Sequence, residues 1–222
     1  MDALAQLAPV AAPLLRDVDT ALLTLGAPAT HPVWRALGRV GATPADVVAF
    51  VADLEPARLR AAADALRAQA AAYEQASLPV DAPWEGETAR HYRAAAEAVR
   101  EHLAGDGPSL ASRLRDQASY VESWAEWQQA LRDGLARALA EAMTSSQAVT
   151  LRSQMTRPTE VDGLPAAVQA AADIAVHLLG VAEDAAAAGR DVIRAAQGLD
   201  ELTYRENLPS DPLAGSGTIR VE

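Results

Sequence analysis

The chain has no cysteine and no lysine, and one phenylalanine in 222 residues. Without Cys, disulfides, thiolate nucleophiles and Cys-based zinc or iron–sulfur sites are excluded. Without Lys, all 19 basic residues are Arg, and a G-x-x-x-x-G-K-[ST] phosphate loop loses its cation. Aromatics make up only 4% of the chain although half of it is hydrophobic. That half is mostly Ala, Leu and Val, a composition that favours helices packed through small side chains over a β-sandwich. Positive charge is scarce as well. The formal net charge is −11, weighted toward residues 158–222, and no basic cluster offers a footprint for nucleic acid or an anionic membrane face. The N-terminal stretch MDALAQLAPVAAPLLRD lacks a basic segment and carries an early Asp, unlike a Sec signal peptide. The most apolar run, residues 164–181, is interrupted by Gln169, Asp173 and His177, which argues against a membrane span.

What is present is helical periodicity. Residues 3–25 space Leu4, Leu7, Leu14, Leu15, Val18, Leu22 and Leu25 as one helix, with Pro13 an expected interruption. A Gly/Pro-rich loop follows, then a short helix from Trp34 to Val40 closed by Gly41. Thr43 and Pro44 read as the N-cap and first position of the next. In DLEPARLRAAADALRAQAAAYEQAS, residues Leu59, Ala62, Leu66, Ala70 and Tyr73 mark one helical face. After the turn bracketed by Pro79 and Pro83, Tyr92, Ala96, Val99 and Leu103 mark another, ended by Gly105 and Pro108. Ser109 caps a third helix whose stripe, Leu110 to Leu139, runs toward Met143, about 35 to 45 residues in all and ended by Pro158. A last helix is expected over 161–203 and a flexible tail beyond it. The fold class expected is all-α: an elongated antiparallel bundle. Residues 1–50 form an N-terminal cap, 51–157 a helical hairpin plus long third helix, 158–203 the final helix, and 204–222 the tail.

Chemistry-bearing constellations are sparse. Of the four His, His91 and His102 are eleven apart, roughly 16 Å along a helix, too far to share one ion. Glu87–His91 and Asp173–His177 read as surface i,i+4 pairs. No G-x-S-x-G or G-x-G-x-x-G occurs. The sequence therefore predicts no enzyme activity, cofactor, catalytic residue or metal site. The aromatics are more telling. Tyr120, Trp124 and Trp127 fall at i, i+4 and i+7 on the longest helix; packing between helices is the favoured reading, and a partner surface shared with Tyr204 the alternative. Trp84-Glu85-Gly86 sits at a turn, where Gly costs up to about 1 kcal/mol relative to Ala unless close approach or an unusual backbone angle requires it.

The segment PWEGETARHYRAAAEAV after DLEPARLRAAADALRAQAAAYEQAS resembles the WXG100 (ESAT-6-like) superfamily of type VII secretion substrates, in its longer actinobacterial, EspB-like and PPE-like forms. The resemblance covers roughly residues 53–150, and Trp84 and Gly86 match the W-x-G turn. It implies export through an ATPase-driven membrane machine as a folded helical hairpin, commonly as a homo- or heterodimer. The protein would then be cytoplasmic before export and secreted or surface-bound afterwards, with no Sec signal. The family's second element, Y-x-x-x-[DE], is missing. The fourth residue after each Tyr is Ser77, Ala96, Trp124 or Leu208, so a partner supplies that half, or the signal is degenerate, or the export role is lost. In the last case the fold would serve as a cytoplasmic scaffold, chaperone or targeting module.

Overall fold

The computed structural model describes residues 2–76, 85–155 and 164–196 and residue 199. Trp84, Tyr204 and residues 204–222 lie outside them, as do residues 77–84, where the turn was expected, and the stretch around Pro158. The described residues form no strand, so the all-α class holds. The helices are α1 (Ala3–Thr20), continued by a π-turn Ala21–Leu25, then α2 (Val33–Val40), α3 (Pro44–Ala52), α4 (Pro56–Gln75), α5 (Glu87–Ala104), α6 (Leu110–Thr144), α7 (Ser146–Met155) and α8 (Leu164–Ala195).

Two expectations need correction. Pro13 does not interrupt α1, and neither does Pro9. The two prolines are four residues apart and both exposed, so the carbonyls they leave unbonded face water. Nor does the long third helix run on unbroken to Pro158. It stops at Thr144, where Thr144-Ser145-Ser146 offers three hydroxyls that compete with the backbone. Ser145 Oγ donates to the Ala142 carbonyl at 2.7 Å and accepts the Ala148 N–H at 3.1 Å, closing one helix and capping the next. The capping box at α3 forms as the sequence implies, with Thr43 and Asp46 bonded reciprocally and Pro44 at the first turn.

The chain divides into two compact units. The first, Met1–Arg60 with Val121–Ala196, holds the buried large apolar side chains among the described residues. Its axis is α8, which packs against α7, α2, α1 and α3. Leu178 and Leu179 of α8, Leu135 and Leu139 of α6, Leu4, Leu14 and Val18 of α1 and Leu151 of α7 are all at most 1% exposed. Each such Leu contributes about 1.5–3 kcal/mol of burial. By length and composition α8 passes for a membrane span, but half of its most apolar window is buried in the fold; the core accounts for that apolarity.

The second unit spans Ala61–Tyr120 and is built differently. Its buried apolar residues among those described are alanines in pairs seven apart: Ala63 and Ala70 on α4, Ala89 and Ala96 on α5, Ala111 and Ala118 on α6. Leu66, Tyr73, Val99, Leu103 and Leu114 between them are half-buried. An ion pair between Arg115 and Glu74 ties α6 to α4. A seven-residue repeat of small side chains keeps one helix face toward its neighbours and lets backbones come close.

Candidate functional site

Gly86 occupies the N-cap of α5 with φ 108° and ψ −172°. A Cβ built there would meet nothing within 4 Å. The backbone angle therefore demands this glycine, and close packing does not. Gly86 and its neighbours Glu85 and Glu87 are exposed.

Trp124 and Trp127 belong to the first unit, their rings 5.2 Å apart and edge-to-face at 85°. Trp127 is half-buried, and its indole Nε1 donates to the Ala185 carbonyl of α8 at 2.8 Å. Gly189 lies beneath the ring; a Cβ there would come to 3.1 Å of the indole nitrogen. One heptad along α6, a Cβ on Gly134 would meet the Val181 side chain at 3.0 Å. Another heptad on, Glu141 pairs with His177 at 3.0 Å. Positions rise on α6 as they fall on α8, so the two run antiparallel. Tyr120 is half-buried within the second unit. Trp84 and Tyr204 fall outside the described residues.

Alongside this seam runs an open groove of about 560 Å³, with Leu131, Gly134, Val181 and Ala185 among its lining. Arg137 on α6 and Asp184 on α8 line it too, and both are exposed.

The histidines do not form the pairs expected around Asp173. Asp173 turns to His31, whose side chain is 8% exposed and whose Nε2 lies 3.2 Å from the Asp173 Oδ1. Gln169 donates to the same oxygen at 3.0 Å. The backbone N–H of Val33 donates to His31 Nδ1 at 3.2 Å, which leaves Nε2 to carry the hydrogen and donate to Asp173. Both ring nitrogens are thus engaged, and the imidazole pins the 26–32 loop to α8. His177 reaches across to Glu141 on α6 instead of back to Asp173. Sequence spacing shows only neighbours on one helix, so it missed partners brought in by tertiary packing. Glu87 and His91 do lie together, at 3.9 Å on the surface. Among the described residues no group of three or more His, Asp or Glu is placed to hold a metal ion.

Arg132 is the polar feature that sequence reasoning passed over. It is 5% exposed. Its Nη1 donates to the carbonyls of Val51, Ala52 and Leu54 at 2.7–2.8 Å, closing the C-terminus of α3, and its Nε pairs with Asp2. Asp2 in turn caps α1 by accepting the Ala5 N–H at 2.9 Å. The signal was present: Arg132 interrupts the apolar stripe that includes Leu135 and Leu139.

Compared with protein-family models, curated proteins and solved structures, the chain matches none. The site's own geometry must carry the functional reading.

Proposed function

We propose that the chain is a non-enzymatic type VII (ESX-like) secretion substrate or secretion-associated protein. It would act through helix–helix interactions, with the W-x-G turn as part of its recognition signal and α4 and α5 as the arms of an antiparallel hairpin. The observation supporting this most directly is Gly86, whose backbone conformation is one that only Gly adopts readily at an exposed helix start. The sequence W-x-G then holds its glycine for the shape of the turn, as a recognition motif would. The partners on this reading are another helical protein, in a homo- or heterodimer of WXG type, and the secretion ATPase. Nucleic acid and direct membrane insertion play no part.

The test is export. Trp84→Ala is expected to abolish the protein in culture supernatant while its circular dichroism and melting stay near wild type. Unimpaired export of that variant would overturn the signal. The missing Y-x-x-x-[DE] favours one alternative, a cytoplasmic scaffold, chaperone or targeting module for a partner helical protein. That reading expects a stable complex with a neighbouring gene product and no wild-type protein in the supernatant.

A further inference from the structure

The α6–α8 groove carries two charges that have no partner among the described residues. Arg137 and Asp184 make no hydrogen bond or ion pair with any described residue, although the other charged groups lining the groove, Glu141 and His177, pair with each other. The register fixes where the two charges lie. Gly134 faces Val181, and each charge is three residues beyond that crossing on helices running in opposite directions. They therefore sit on opposite walls, each about 4.5 Å from the crossing and displaced in opposite senses along the groove.

This diagonal arrangement is self-complementary. A two-fold axis in the plane of the groove, across the line joining the charges, exchanges them. A uniformly acidic or basic partner would satisfy one of these charges and oppose the other. The floor between them is small or apolar and open along its length, which suits another pair of helices. We infer that a second copy of this chain docks on the α6–α8 groove, Arg137 of each protomer meeting Asp184 of the partner subunit. This surface is separate from the W-x-G turn, and the inference does not depend on export.

The size of the patch sets the expected strength. From Trp127 to Glu141 the groove is about 21 Å long and about two helices wide, or on the order of 400 Å² per protomer. Stable interfaces bury about 800 Å² per partner, so association should be weak, with a Kd of about 10 to about 500 μM. Sedimentation equilibrium of the full chain from about 10 to about 500 μM tests this range. Wild type is expected to shift from monomer toward dimer. Arg137→Asp or Asp184→Arg alone replaces two attractions with two repulsions and should weaken the dimer at least about tenfold. The double variant restores both pairs with reversed polarity and should return to within about threefold of wild type. Both positions are exposed, and circular dichroism checks that each variant folds. A wild-type monomer at about 500 μM overturns the inference and leaves the groove to a different occupant. So does a double variant no tighter than the single ones.

Discussion

At the scale of single residues, the most consequential side chain is Arg132. A guanidinium this buried is tolerable only because Asp2, the last two carbonyls of α3 and the Leu54 carbonyl just beyond it surround it. Arg132→Ala should cost about 3–5 kcal/mol in urea unfolding, the range for removing one partner of a buried pair; a loss under about 1 kcal/mol would show the network to be dispensable. Two carboxylates give the pH dependence opposite signs. Hydrogen bonding to Arg132 is the largest influence on Asp2 and holds its carboxyl below the ordinary value. Its contribution is thus present above about pH 3.8 and lost as pH falls through the lowered value. Asp19 is pushed the other way, chiefly by burial, with Asp46 adding repulsion and Thr43 partly offsetting it. Its ionisation therefore weakens the fold as pH rises from about 3.8 through the raised value. One Asp19 oxygen is buried without a partner while the other accepts the Thr43 hydroxyl at 2.7 Å. Asp19→Asn should accordingly be more stable than wild type at pH 7 and lose that advantage below about pH 3.8. Equal pH profiles for the two proteins would rule this out.

At the scale of elements, glycine separates what the sequence shows from what only packing shows. Gly180, Gly134 and Gly189 look alike in the sequence, each inside a helical pattern. The fold distinguishes them: Gly180 has open space around it, while Gly134 abuts Val181 and Gly189 abuts Trp127. Gly180→Ala should raise stability by about 0.5–1 kcal/mol, the helix-propensity difference. Gly134→Ala should gain the same propensity but lose more by forcing α6 away from α8, and a melting temperature raised by both variants would refute the distinction. Helix existence was legible wherever periodicity was long, as in α4, α5 and α6, and so were the capped starts at Thr43 and Ser109. The break at Ser145 and the smooth passage of α1 through Pro9 and Pro13 were not. The first depends on hydroxyls outcompeting a continuing helix, the second on which face meets solvent. At the W-x-G turn the sequence left open whether close packing or the backbone angle required Gly86, and only φ decided it. The pairings of His31 with Asp173 and of His177 with Glu141 were out of reach for the same reason, since each joins segments far apart in the chain.

At the scale of the whole molecule, the two units rest on different interiors. The first buries leucines, valines and an isoleucine in one continuous cluster, whereas the second has alanine at its buried apolar positions among the described residues. A buried methyl removes far less apolar surface than an isobutyl group, at about 0.8 kcal/mol for each additional CH2. Local opening free energy follows buried apolar contact, so the second unit should open far more often than the first. Native-state hydrogen exchange measures this helix by helix. Amides in the middle of α5, around Ala96, are expected to exchange at least about a hundredfold faster than those of α8 around Ala175, a gap of about 2.7 kcal/mol in opening free energy. A helical pair that opens this readily while the α8 core stays closed would suit a segment presented to an export apparatus or a partner helix. Equal protection of α5 and α8 would mean that heptad alanine packing holds as firmly as the leucine core, and the contrast between the two interiors would have no consequence for dynamics.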